Sequence, residues 1–125
     1  MIHFDTNALV YLPQWAKEVH PIIERIVAGE SAAVCSVVWY EYLRGPLAKE
    51  EAALAHAFVQ GRILAVTEAD AQLAAALFNT TGRKRTHRTD TLIAACAIRA
   101  GAEFVTANAV DFRPLTAHGL RLVGV

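Results

Sequence analysis

Several features are scarce in this chain, and each scarcity narrows the reading. No apolar run reaches the roughly 18 residues that a membrane span needs, and no basic segment with a cleavage site opens the sequence. A soluble, cytoplasmic protein with no membrane contact is therefore expected. Only two cysteines occur, Cys35 and Cys96, in a predicted strand and a predicted helix. They read as free buried thiols in a reducing compartment rather than as a disulfide framework. Net charge is missing too: twelve basic residues balance twelve acidic ones, so composition alone makes no case for nucleic acid. Aspartate is rare, with Asp5, Asp70, Asp90 and Asp111 the only four. Linkers, repeats and low-complexity stretches are not seen, and residues 1–125 read as a single domain with one sizeable core.

Apolar residues make up 54% of the chain, and their spacing alternates between strand-like and helical. "MIHFD" reads as a short buried strand running into a short helix, "TNALVYL". "PIIERIVAG" has Ile22, Ile23, Ile26 and Val27 on one helical face, with Pro21 in the first turn and Gly29 as a cap. "SAAVCS" is a second strand, "VVWYEYLRG" a helix closing at Gly45. A further helix from about Pro46 to near Gly61 carries Leu47, Leu54 and Phe58. "RILAVT" is the third strand. Thr67 and Asp70 have capping-box spacing at the head of "TEADAQLAAALFNTTG", which assigns Asp70 to capping. "DTLIAACAIRAG" is a helix of small residues ending at Gly101, "EFVT" a fourth strand and "LRLVGV" a fifth. Alternating strands and helices, with nearly continuous apolar strands, predict an α/β fold: a parallel sheet of four to five strands covered by helices on both faces.

Ligands in such sheets bind outside the carboxyl ends of the strands. Right-handed crossovers bring a distinctive polar set to that one edge. Asp5, Thr6 and Asn7 leave the first strand, Ser36 the second with Glu41 shortly after, and Thr106 and Asn108 the fourth with Asp111 just behind. Each acid has a plain structural explanation. Asp5 can cap a helix, Glu41 can pair with Arg44 or Arg88, Asp90 can sit on a helix dipole, and Asp111 can be a turn residue. None of these explanations predicts the other three. Converging carboxylates repel one another unless a cation neutralises them. Oxygen donors without nearby His or Cys suit Mg²⁺ or Mn²⁺ rather than zinc. An ion held there binds phosphate oxygens and acidifies a water for in-line attack on phosphorus. Thr6, Asn7, Ser36, Thr106 and Asn108 would orient ligands or waters from behind. The basic stretch "GRKRTHRTD" places Arg83, Lys84, Arg85 and Arg88 just before Asp90, as a solvated loop or as a rim for backbone phosphates. Among the histidines, His87 is at most a phosphate contact.

"FDTNALV", "SVVWYEYLRG" and "TDTLIAACAIRAGAEFVTANAVDF", in that order, resemble the PIN-domain nucleases, and among them the VapC-type toxins of bacterial toxin–antitoxin pairs. The resemblance runs over nearly the whole chain. It implies an α/β/α sandwich and an Mg²⁺- or Mn²⁺-dependent endoribonuclease. Asp5, Glu41, Asp90 and Asp111 then match the family's four acids, Asp111 being the least fixed. Thr106 and Asn108 match the polar residues before it. The implied partners are RNA, a second copy of the chain and a VapB-type antitoxin. The loop "RKRTHR" is more basic than is common in the family.

Other readings stay open. The same nuclease could serve RNA processing, or the acids could belong to a non-catalytic scaffold. A receiver-like module is disfavoured, because the first strand ends in a single acid and no lysine follows Lys84. Trp39, Tyr40 and Tyr42 cannot all face one core. They pack on a neighbouring helix or form a dimer or antitoxin surface.

Overall fold

The computed structural model describes residues 1–123. Val125 and Gly124, which end the expected fifth strand, lie outside the described residues. Five strands form one sheet: β1 (Ile2–Phe4), β2 (Ala32–Cys35), β3 (Ile63–Leu64), β4 (Glu103–Val105) and β5 (Arg121–Leu122). Their order is β3-β2-β1-β4-β5, and every pairing is parallel. The helices are α1 (Thr6–Glu18), α2 (Pro21–Val27), α3 (Ser36–Leu43), α4 (Lys49–Phe58), α5 (Glu68–Thr80), α6 (Arg88–Arg99) and α7 (Ala109–Phe112). The chain moves from β1 outward to β3 and then crosses back to β4. Right-handed connections therefore put α1 to α4 on one face of the sheet, with α5, α6 and α7 on the other. This is the expected α/β/α sandwich. None of the described helices is long and apolar enough to cross a membrane.

Strand lengths follow from the chain's turns. β2 passes into α3 with no intervening residue, Cys35 being the N-cap. Its ladder with β3 therefore ends at the Cys35–Leu64 pair, and most of "RILAVT" stays outside the sheet. Helix α1 runs through Pro13 to Glu18, well past the expected "TNALVYL". An interior proline costs about 3 kcal/mol. Burial of Ala8, Leu9, Leu12 and Trp15 on one face of α1 outweighs it. Helix α4 begins at Lys49 rather than near Pro46, with Glu50 and Glu51 in its first turn favouring the dipole. On α2, Ile22 and Ile23 are buried, but Val27 is exposed. Cys35 and Cys96 are free and buried. The neighbouring Cys96 thiol is the largest influence on the Cys35 thiol and outweighs burial, lowering it to about 7.

The capping box forms as expected. Thr67 N–H donates to Asp70 Oδ2 at 2.9 Å, and Asp70 N–H donates to Thr67 Oγ1 at 3.2 Å. Arg99 Nε adds 2.9 Å to Asp70 Oδ1, tying α5 to α6. Burial pushes the Asp70 carboxyl up, but the bonds from Thr67 and Arg99 prevail and hold it below its usual value. Replacing Thr67 by Ala should lower stability by about 1 kcal/mol. A reduced urea midpoint with an unchanged slope would register it, and Asp70→Ala, which also strips Arg99 of its partner, should cost more.

Candidate active site

The strand order reverses between β1 and β4, so the crevice of this sheet opens at their carboxyl ends. Asp5 stands at that point. Its N–H continues the ladder to Val105 O at 2.9 Å, and its backbone then caps α1. The side chain is only 6% exposed. Oδ1 accepts from Thr6 N–H and Oδ2 from Thr106 Oγ1, both at 2.8 Å. Thr106 in turn accepts Asn108 N–H at 3.0 Å, while Asn7 Oδ1 accepts Ala107 N–H at 2.9 Å. The end of β4 is thus laced to the head of α1. Glu41, on α3, accepts the Thr6 hydroxyl at 2.8 Å and has Arg44 at 3.9 Å. The expected ion pair with Arg44 is a loose one.

Asp90 is the third residue of α6, and Asp111 lies on α7, where it accepts from Asn108 Nδ2 at 2.6 Å. The charges of the other three acids converge on Asp90. Burial first, then the charges of Asp5, Asp111 and Glu41, push Asp90 up to about 6, against the opposing pull of His87. Asp5 is raised as well, chiefly by burial, although bonds from Thr106 and Thr6 oppose this and Glu41 adds to it. Carboxyls gathered around a shared space repel one another unless positive charge neutralises them.

His87 is the residue that sequence reasoning undervalued. Nε2 lies 3.9 Å from Asp111 Oδ1. His87, Asp90 and Asp111 each offer one ligand atom, all within 4.8 Å of one another, around a pocket of about 70 Å³. A divalent cation bonds each donor at about 2.0–2.6 Å, so this set fits one. The available signal was position, because His87 precedes Asp90 by three residues and a helical turn brings the two together. Asp5 and Glu41 lie outside that trio of ligand atoms, each engaged by a threonine hydroxyl, although the charges of both reach Asp90. Of the four basic residues expected at the rim, Lys84 lines the pocket. Arg83 instead bonds Asn79 and lies over the Phe78 ring, Arg88 faces a groove between α5 and α6, and Arg85 is exposed. Ser36 begins α3 but makes no side-chain hydrogen bond among the described residues.

The model of the PIN domain matches residues 2–114. The chain belongs to the PIN domain family. Solved structures similar to this PIN domain include a toxin–antitoxin complex from Klebsiella pneumoniae, with a TM-score of 0.71 and 22% identity over 99% of this chain and 97% of that one. VapBC2 from Rickettsia felis, bound to a DNA fragment from its promoter, has a TM-score of 0.70 and 22% identity over 98% of both chains. FitAcB from Neisseria gonorrhoeae gives 0.65 and 19%, covering 99% of this chain and 97% of its own. At these identities the likeness is one of fold. Comparison with curated proteins gives no match.

The Asp90 carboxyl binds its proton more tightly in the folded PIN domain (about 6) than at its ordinary value of 3.8. The stabilisation from that proton is complete below the ordinary value and is lost as pH rises through 6. Metal-free Asp90→Asn should therefore melt at a higher temperature than wild type at pH 7, and the gap should close by about pH 4. Thermal melts in EDTA across that range check this.

Proposed function

We propose that this PIN domain is a metal-dependent endoribonuclease and works as the toxin of a VapBC-type toxin–antitoxin pair. The observation that carries the chemistry is the gathering of Asp5, Glu41 and Asp111 around Asp90 at the crevice, where burial and their charges push Asp90 up to about 6. Asp5, Glu41 and Asp90 would hold Mg²⁺ or Mn²⁺, with Asp111 bound directly or through water and His87 adding a nitrogen donor. Four carboxylates to one imidazole keep the donor set hard enough for either ion. When bound, the ion neutralises the acids, takes a phosphate oxygen and acidifies a water.

The protein's own groups do the positioning. Thr106 and the Thr6 N–H fix both oxygens of Asp5, and the Thr6 hydroxyl fixes Glu41. Asn108 turns Asp111 toward the pocket, and Asn7 holds the loop after β4. Lys84 offers its ammonium to a phosphate next to the scissile one. A carboxylate of the cluster would take the proton given up by the attacking water, the phosphorus–oxygen bond to the leaving nucleotide breaks in line, and solvent water returns a proton to the leaving oxygen.

The toxin assignment draws support from the similar Klebsiella pneumoniae structure, a toxin–antitoxin complex, and from the VapBC2 structure of Rickettsia felis. On this reading the partners are a VapB-type antitoxin, RNA and a second copy of the chain, and the setting is the cytoplasm. Tyr40 and Leu43 project from α3, with the former 63% exposed, and they belong to the face such partners would cover. Tyr42 is buried, and Trp39 packs between Tyr42 and His56.

Partner-free protein incubated with total RNA should give discrete fragments in Mg²⁺ or Mn²⁺ and none in EDTA. Asp5→Asn and Asp90→Asn should each lose at least about a hundredfold in rate. Cleavage that survives EDTA, or that is equal in wild type and Asp5→Asn, would overturn the nuclease.

A further inference from the structure

Three rings stack beside the crevice, and the chemistry above does not use them. Tyr11 and Trp15, one turn apart on α1, have centroids 6.0 Å apart and planes within 16°. His20 stacks on Trp15 at 4.6 Å and 21°. The chain is bent to hold His20 there. Val19, a β-branched residue, takes a left-handed φ of 51°, His20 N–H donates to Trp15 O at 3.0 Å, and its ring Nδ1 accepts Ile22 N–H at 3.1 Å. A cavity of about 220 Å³ is bounded by these three rings and Ala107.

Ala107 ties the cavity to the acids. It follows Thr106, which bonds Asp5, and its own N–H bonds Asn7. Asn7 and Tyr11 are four residues apart on α1, so they share a face about 6 Å apart along the axis. The Thr106–Ala107 segment and the shared face of α1 thus place this cavity beside the end of the sheet that carries Asp5. Near-parallel π faces of Tyr, Trp and His suit a flat ring. Bases are flat, and stacking on such platforms is tolerant of sequence. We infer that this cavity is a base-stacking subsite, in which an unpaired nucleobase beside the scissile phosphate lies against the Tyr11–Trp15–His20 stack. The inference rests on the nuclease reading and extends it, because a base can enter only from single-stranded RNA.

The test uses the full chain as Asp90→Asn, to prevent cleavage, with Trp39→Phe, which leaves Trp15 as the only tryptophan. The probes are a short single-stranded oligoribonucleotide and the same backbone made abasic. Trp15 emission should be quenched by the first and not by the second. Tyr11→Ala should weaken binding about tenfold, the weight of one stacked base, and Tyr11→Phe should restore it. In the cleaving protein, Tyr11→Ala should raise KM for single-stranded RNA while kcat holds. Equal quenching by both probes, or RNA affinity unchanged in Tyr11→Ala, overturns the subsite and leaves the nuclease standing. Loss of antitoxin binding alone in Tyr11→Ala would assign the rings to a protein partner instead and overturns it equally. If wild type cleaves no RNA and the Asp90→Asn protein binds none, the nuclease reading falls and the subsite with it.

Discussion

Asp5 is a carboxylate buried at the one place where the sheet reverses direction, and the surrounding structure is arranged to satisfy it. A buried acid without partners costs several kcal/mol, or neutralises itself by taking a proton. Here its two oxygens receive one backbone donor from the head of α1 and one hydroxyl from the end of β4. Those two bonds join segments about a hundred residues apart in sequence, since Asp5 and Thr106 differ by 101 positions. The helix, the strand ends and the crevice share that single point. Moving any of them would leave the acid unpaired.

The other acids raise the electrostatic cost further. Glu41 comes from α3, Asp90 from α6 and Asp111 from α7, and burial together with the charges of Asp5, Asp111 and Glu41 holds Asp90's proton to about 6. A fold selected for stability alone would not gather like charges in this way. The polar supports are equally specific: Thr6 serves Glu41 through its hydroxyl and Asp5 through its N–H. On the proposed nuclease reading, the repulsion among these acids becomes affinity when a cation arrives.

Helix α1 illustrates how one element serves packing and chemistry together. Its first turn carries Asp5, Thr6 and Asn7 at the crevice. Its buried stripe of Ala8, Leu9, Leu12 and Trp15 fixes it against the core despite Pro13. Rigid seating of that stripe is what aims the polar head. The exposed Tyr11 ring rides on the same rigid helix, so its distance from the acids is set by helical geometry rather than by a loop.

The fold was legible in the sequence to a high degree. Near-continuous apolar strands separated by helical stretches dictate a buried parallel sheet, and the Thr67–Asp70 spacing and Gly101 mark their helix ends, because these signals are local. Asp5, Glu41 and Asp111 were legible as neighbours, since strand ends in such a sheet share one edge, whereas Asp90, at the head of a helix, joined them only through the family resemblance. What the sequence left open depends on contacts between distant segments. The length of α1 past Pro13 depends on the core it packs into, and the brevity of β3 on where β2 turns into a helix. The split of the basic run, with Lys84 at the pocket and Arg83 beside Phe78, depends on which way a short turn faces. His87 became part of the acidic cluster only when α6 and α7 were brought together. Spacing along a chain determines which residues can share an edge or a face. Only tertiary packing determines which side chains reach one another across it, because that last few ångströms is decided by the neighbours.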